Sequence, residues 1–578
     1  MNPLFDMVLR SVAGRRFCFV LLAMAASTAS AQIPPDAGTL QRDTERELRH
    51  PPAGEPALKP PAIQKLEADA GARRVTVRRI VIEGATLIPV AELEALAADR
   101  IGQSLTLAEL EELAQRITLH YQQRGWYARA YLPQQDVSDG VIRIEVLEGR
   151  YEGSRLSSES QRASAGFIEG VVTHRLRIGE PLSAADLERG ILIANDLPGV
   201  RVTGLLEPGQ ARGATRLSLK LEDAPLLSGD IGLNNNGAKT TGTIQAVGGA
   251  ALNNLTGIGD RISVRGLRAD RVGNLLLSYS LPLGHDGWRL SAQASALSYR
   301  LGDRFKPLDA KGRANTAGLS LSYPLIRQSE RNLGLSLGYE RRSYADDMLG
   351  QALRRHRIEA FCLGLSGDWR DGLNGGGITW GGVEYARGRV GFGDVLADRI
   401  IDDAGPRTRG DYGRLSFLLN RLQALGGGWQ LQAQLSGQIA EDNLDSSERF
   451  TLGGPFRVRA YPVNEASGDE GLLARLELQH KLAQDWQFVF FYDHGRIRQH
   501  RRTWANWDGG SGRPNRYALS GAGIGLAWQG SGDLAGWRFA ASLASPLGGN
   551  PGKDAFGRNG DGSKVSSVRG WLALSRVF

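Results

Sequence analysis

From residue 226 to the C-terminus, apolar and polar side chains alternate along the chain, segment after segment. In one segment Leu472, Ala474, Leu476, Leu478 and Leu482 fall on one face, and Arg475, Glu477, Gln479 and Lys481 on the other. Trp288 to Leu301 is a second long, mostly alternating stretch. Period two is the repeat of a β-strand with two different faces. Segments of this length suit strands with lipid outside and water inside, whereas the strands of a soluble sandwich are shorter and more evenly spaced. Ser-(x)-Pro-Leu turns recur at Ser280–Leu283, Ser322–Leu325 and Ser545–Leu547. Tyr279, Tyr323 and Trp528 fall near strand ends, where an aromatic girdle belongs. About 350 residues at about 22 per strand and connection give about 16 strands, an even number as such barrels require. The last strand, Trp571 to Phe578, ends on an aromatic residue, with Leu572 and Leu574 on its face and Arg576 interrupting it.

Upstream, the pattern changes to a repeat of mixed elements. Ile101-Gly102-Gln103-Ser104-Leu105-Thr106 is echoed by Ile178-Gly179-Glu180-Pro181-Leu182-Ser183. Thr106 and Ser183 each have an acid three residues on, Glu109 and Asp186, which is capping-box spacing. Each copy reads β-α-α-β-β. The opening strands are Val75 to Ile82 and Tyr151 to Leu156. The closing pairs are Ala128–Gln135 with Val141–Leu147, and Val200–Leu206 with Thr215–Leu221. The repeat divides the region into units at 73–149 and 150–223.

Before the repeat, Thr39 is a candidate cap for a helix running through Arg49. Leu40 and Leu48 are its only large apolar residues, and Arg42, Asp43, Glu45, Arg46 and Glu47 leave it polar all round. Such a helix needs wet surroundings. Pro51-Pro52, Gly54, Pro56 and Pro60-Pro61 end it in an extended linker, so residues 32–72 read as a tethered polar helix or, alternatively, a solvated tail. Residues 1–31 have the form of a secretory signal: Arg10, Arg15 and Arg16, an apolar core from Phe17 to Ala26, and Ala29-Ser30-Ala31 as cleavage site.

Composition narrows the classes. The 578 residues carry a net charge of +8. Residues 1–31 account for a net two positive charges (Arg10, Arg15 and Arg16 against Asp6), leaving +6. The cations are scattered without an aromatic-interleaved patch, which argues against a nucleic-acid partner. Mean hydropathy is only −0.27, as expected where half of each strand faces a polar lumen. The only cysteines are Cys18, in the signal, and Cys362, so the mature chain has no internal disulfide. The histidines lack metal-ligand spacing, and neither a metal nor another cofactor is expected. Gly334-Leu335-Ser336-Leu337-Gly338 matches a hydrolase elbow in letters only, because it lies inside an alternating strand. Asp402-Asp403 before Ala404-Gly405-Pro406 reads as an exposed acidic turn. No catalytic constellation emerges, and the chain is not expected to be an enzyme.

The sharpest motif is a pair. Gly453-Gly454-Pro455-Phe456-Arg457-Val458-Arg459-Ala460-Tyr461 is a Gly/Pro-broken loop carrying arginine, and Phe491-Tyr492-Asp493-His494-Gly495 puts an acid in an aromatic strand. An unpaired carboxylate there is costly, and a guanidinium folded back from the loop would pin the loop bidentately. These pieces resemble the Val-Arg-Gly-Tyr loop and Asp-x-Gly strand motifs of POTRA-bearing outer-membrane barrels, most closely the transporters of two-partner secretion. Ala460 stands where that family usually has glycine, a costly exchange if the position needs positive φ. The resemblance implies a transmembrane β-barrel of about 16 antiparallel strands over 226–578. It is preceded by two α+β POTRA domains and an N-terminal plug helix. A long inward-folded loop near 441–470 carries Val458, Arg459, Ala460 and Tyr461, with Asp493 and Gly495 as its anchor and Phe578 as the C-terminal barrel signal.

The function this implies is export of an unfolded partner exoprotein, an adhesin or haemolysin, across the outer membrane of a Gram-negative bacterium. The periplasmic POTRA domains would capture it, by strand addition at an open sheet edge. The barrel would be monomeric and sit among outer-membrane lipids. Two other readings remain at this stage. One is a factor that assembles outer-membrane proteins, and the other is a plain solute channel.

Overall fold

A computed structural model describes residues 34–49, 74–158, 160–554 and 556–578. The signal segment and the Pro-rich linker lie outside the described residues.

The first periplasmic-type unit contains β1 (Arg74–Thr76), β2 (Arg79–Glu83), β3 (Ser104–Thr106), β4 (Ala128–Tyr131) and β5 (Val141–Glu148). Two helices, Val90–Ala97 and Leu107–Gln123, pack on the sheet. Sheet order is β2-β5-β4, with β2 parallel to β5 and β4 antiparallel. The opening strand is not continuous as the pattern suggested. It breaks at Val77-Arg78, and the freed β1 pairs with β3. Val77 and Arg78 bond instead to the carbonyls of Gln103 and Gly140. The fourth strand stops at Tyr131, short of Gln135, whose side chain bonds the Arg143 backbone from outside the ladder.

The second unit repeats the arrangement: Arg150–Ser158, Val200–Pro208 and Ala214–Asp223 form its sheet, under helices Ala165–Thr173 and Ala184–Asn195. Thr106 and Glu109 form both halves of a capping box. Ser183 accepts from the Asp186 amide at 3.2 Å. Each unit has its own apolar core, around Leu113, Ile117 and Ile142 in one and Ile168, Leu217 and Leu219 in the other. A run of backbone bonds through Tyr127, Gly149 and Leu182 joins them.

Sixteen antiparallel strands close the barrel, from Leu227–Asn234 to Arg569–Val577. The last pairs with the first over Ala573↔Asn234 to Val577↔Asp230. Beyond that register Phe578 exchanges both backbone bonds with Gly229, at 2.8 and 2.9 Å. Gly229 has to lack a Cβ, since one would lie 2.6 Å from the Phe578 ring. Ile231, Leu233, Leu275, Leu277, Leu319, Phe361, Leu363 and Trp369 are exposed on the outer surface, the apolar band that a lipid-facing barrel requires. Because the first strand follows the two small domains, its start marks the periplasmic end. Trp288 packs against Tyr323 and Trp486 against Trp528 at that end, each pair with tilted rings. Arg576, the polar break in the last strand, places its guanidinium 5.5 Å from the Trp537 ring centre. It lies next to the periplasmic rim, where a long cation covers an aromatic face and keeps its head in water.

The second small domain is bolted to that rim. Arg327 grips Asp196 bidentately at 2.7 Å on both arms. Arg175 pairs with Asp286, Arg189 donates to the Pro324 carbonyl at 2.8 Å, and Ser329 donates to Glu188.

Candidate functional site

The lumen holds two insertions. One is the helix Ala37–Arg49. Its cap is Asp36 rather than Thr39: the Asp36 carboxylate accepts the Thr39 amide at 2.9 Å, so Thr39 sits inside the first turn. Asp36 is the better-placed acceptor for the third amide of the helix and also meets Arg354. Leu40 and Leu48 are buried against barrel residues such as Leu267, Leu297, Tyr299 and Ile358. The polar faces find polar partners. Asn274 donates to the Thr44 hydroxyl at 2.8 Å, Ser295 donates to Glu45, and Gln41 donates to Ser295 and Thr316. A helix polar on most faces is therefore stable here, because the lumen wall supplies what water would. Glu47 and Arg46 line a cleft between the helix and the loop tip at Gly453–Arg457.

The second insertion is the loop between the eleventh strand (Trp429–Ala440) and the twelfth (Glu470–Lys481). It folds back through the short turn Ser446–Glu448 and a two-residue ladder, Phe450–Thr451 with Ser467–Gly468. Its tip reaches the thirteenth strand, Trp486–Arg498. There Arg459 grips Asp493: Nε to Oδ2 at 2.9 Å, a terminal nitrogen to Oδ1 at 2.7 Å, and the Arg459 backbone amide to Oδ2 at 3.1 Å. The other terminal nitrogen lies 2.8 Å from Glu477. Arg475 is 3.4 Å from Asp493 and 2.9 Å from Glu477. Two arginines and two carboxylates thus form a neutral, almost fully buried quartet. The guanidinium of Arg459 also lies 3.4 Å from the Phe491 ring centre.

The tip is packed as tightly as it is paired. Val458 and Tyr461 are fully buried in a cluster with Leu452, Leu473 and Phe491. Gly495 admits the loop, since a Cβ there would lie 2.4 Å from a Leu452 methyl. Ala460 does not have a positive φ; Asn464 and Ala466 do, at 67° and 54°. Alanine is tolerated because its methyl points at Gly521, where a Cβ would come within 2.5 Å. The Trp571 indole donates to the Arg459 carbonyl at 2.8 Å, so the last strand also holds the tip.

Pattern reading missed a second anchor, nearer the outer end. Asp445 and Glu448 at the base of the loop meet cations from the wall. His356 bridges Asp445 at 2.8 Å and Asp398 at 2.9 Å, and Arg414 meets Glu448 at 3.2 Å. Arg342 also pairs with Glu448, and Arg354 contacts Asp445 while holding Asp36 of the lumen helix. Arg42 of that helix donates to the Ser446 and Arg449 carbonyls at 2.7 and 2.9 Å, and Asn464 of the loop bonds Asp43. Helix, loop and wall therefore form one polar assembly. The legible trace of this anchor was the lumen-facing arginines on alternating strands, each needing an acid. Asp398 and Asp402 lie on an outer-end helix, Leu396–Ala404. Asp402 is not the exposed turn its sequence suggested: it is buried and accepts the Thr408 amide and hydroxyl, each at 2.8 Å. Gly405 ends the helix and turns the chain back, bringing Thr408 onto the carboxylate.

Comparison with known proteins places this geometry. Residues 213–528 match the family described as haemolysin secretion/activation protein ShlB/FhaC/HecB, and residues 75–149 match the POTRA domain, ShlB-type. The heme/hemopexin transporter protein HuxB of Haemophilus influenzae (strain 86-028NP) is 26% identical over 536 residues, covering 89% of this chain and 92% of the relative. The outer membrane transporter CdiB of Dickeya dadantii is 27% identical over 513 residues, covering 84% and 88%. Among solved structures, CdiB from Escherichia coli aligns over 95% of this chain and all of its own, with a TM-score of 0.67 at 22% identity, a likeness of fold. The family match covers the inward loop with both its anchors and most of the barrel: the chain is an outer-membrane protein belonging to the haemolysin secretion/activation family ShlB/FhaC/HecB.

Proposed function

We propose that this protein binds an unfolded partner exoprotein through its two small domains in the periplasm and exports it through the barrel. The observation that carries this reading is the lumen itself. It is closed by two insertions: a helix bonded to the wall on its polar faces and packed on it only through Ala37, Leu40 and Leu48, and a loop held by buried charge pairs and an apolar cluster at its tip. The neutral hydrogen bonds of the helix each exchange with water at small net cost, so the helix can leave the lumen without unfolding the wall. A solute channel has no use for two domains fixed to its periplasmic rim. Each domain leaves sheet edges open, β2 and β4 in the first, and an extended chain can add to such an edge. The helix leaves the pore during passage, and the tip formed by Val458, Arg459, Ala460 and Tyr461, held by Asp493 beside Gly495, shapes the path. Phe578 completes the seam of a barrel that works as a single copy among outer-membrane lipids. In our division the plug and linker take 32–72, the two POTRA domains 73–149 and 150–223, and the barrel 226–578. The cargo is an adhesin or haemolysin. Its folding outside supplies direction, because folded residues cannot slide back.

The test is the secreted proteome of the native host with and without this gene. Loss of one large exoprotein, with other outer-membrane proteins intact, is the expected result. A general fall in outer-membrane barrels would instead indicate an assembly factor, and no change in either would overturn export.

A further inference from the structure

Most charged groups of the lumen are paired with one another. Arg342 meets Glu340 and Glu448, Arg414 meets Glu384 and Glu448, and Arg265 meets Asp230. One sector differs. On the periplasmic half of the eleventh strand, Gln430, Gln432 and Gln434 occupy successive inward positions. Gln438, farther along the same face, bonds the loop carbonyls of Glu448 and Asp469 inside the barrel. The register sets Gln430 opposite Gln479 and Gln434 opposite Arg475. Gln487 donates to Gln479 at 2.9 Å, and Gln479 donates to Gln432 at 2.8 Å. This amide surface begins just below the loop tip, where Arg475 also donates to the Phe456 carbonyl at 3.3 Å.

The amides are incompletely used. Among the described residues the Gln430 side chain makes no hydrogen bond, that of Gln432 accepts one and donates none, and that of Gln434 only accepts from Arg475 at 3.3 Å. All three are partly exposed. The plug helix contacts Asn274, Ser295, Thr316 and Asp346, on the fourth to seventh strands. Those strands (Val272–Leu283, Trp288–Arg300, Lys311–Arg327 and Arg331–Met348) stand seven to four places from the eleventh in a barrel of sixteen. The helix therefore leaves the amide row free.

We propose that Gln430, Gln432 and Gln434 form a hydrogen-bonding track for the backbone of an extended polypeptide on its way to the loop tip. The inference rests on the export reading above and says where in the lumen the cargo runs. The chemistry fits a cargo of unrestricted sequence. A primary amide offers both donor and acceptor, as each peptide unit does. Charged walls would hold opposite charges and repel like ones, and an apolar wall would hold apolar side chains. Neutral amide bonds are individually weak in net terms, so they exchange as the chain advances. Inward positions on one strand repeat every second residue, at roughly 6.8 Å, the distance between like-facing groups of an extended cargo.

The experiment uses the full chain in its native host, and its probe is the exoprotein that disappears from the medium when the gene is deleted. Pulse–chase release of that protein is compared for parent, Q430A/Q432A/Q434A, the matching triple asparagine variant, and Gln293→Ala on the opposite wall. The alanine triple should slow release about tenfold at equal barrel content, the asparagine triple should restore most of the rate, and Gln293→Ala should leave it unchanged. If the alanine triple does not insert, Gln432→Ala alone is read the same way. A photo-crosslinking residue at position 432 should trap the cargo in transit, and one at 293 should not. Release at the parent's rate, or equal slowing by Gln293→Ala, would overturn the track while leaving export standing. A parent host with no exoprotein dependent on this gene would overturn both.

Discussion

Arg459 shows what one buried side chain decides. It meets Asp493 on two nitrogens and its own amide, and it neutralises a quartet with Arg475 and Glu477. Arg459→Ala leaves two buried carboxylates, Asp493 and Glu477, to share Arg475 alone, and breaking such buried pairs costs about 3–5 kcal/mol. Export should fall at least tenfold, while the barrel still inserts and keeps its heat-modifiable gel migration. Arg459→Lys should not restore export, because an ammonium cannot reproduce the bidentate grip. Ala460 makes a second residue-scale case. Gly521→Ala places a methyl 2.5 Å from that of Ala460, so it should impair export, and adding Ala460→Gly should recover most of the loss. Equal defects in single and double variants would show that the contact is not what matters.

At the scale of elements, the lumen helix and the inward loop depend on each other. Arg42 spans both, and Arg354 is shared between Asp36 of the helix and Asp445 of the loop. Deleting residues 33–50 should raise ion conductance through the barrel several-fold in planar bilayers; unchanged conductance would remove the plug. The first POTRA unit has its own electrostatic clip. Burial pushes the Glu148 carboxylate up, but hydrogen bonds from Thr86, Leu87 and Tyr121 outweigh it and hold the group below its ordinary value. A depressed carboxylate stabilises the fold above its unfolded pKa, and that contribution disappears as pH falls through the folded value. The periplasmic fragment 74–223 should therefore lose stability as pH drops below about 4.5, and Glu148→Gln should flatten that dependence in thermal melts followed by circular dichroism.

At the largest scale two small domains are fixed to the rim of a closed cylinder whose lumen holds a helix and a loop. Arg327 and Asp196 form the strongest-looking bolt between them, exposed on one side. Exposed pairs contribute only about 0–1 kcal/mol, so Arg327→Ala should leave assembly intact. Its expected effect is geometric: faster proteolysis near residues 223–227 and reduced export, measured in the same membranes.

Much of this was present in the order of side chains. Period-two alternation forces a strand with a wet and a dry face, so a barrel of this size follows from length alone. Thr106 and Ser183 mark helix starts because a hydroxyl before three free amides has one good use. Arg459 and Asp493 were legible as partners because neither is tolerable alone in apolar surroundings. Local pattern could not decide which carboxylate meets which cation across hundreds of residues. Asp445 reaches His356, and Asp36, besides its local work as helix cap, meets Arg354, only because the closed wall brings distant strands to one level. Nor could it decide the fit of Ala460, which depends on the missing Cβ of Gly521 on another strand. The chain by itself determined periodicity, caps and the need for charge pairs, which are properties of neighbours in sequence. Barrel closure decided the partners, because long-range contacts depend on register and curvature, which no short stretch of residues contains.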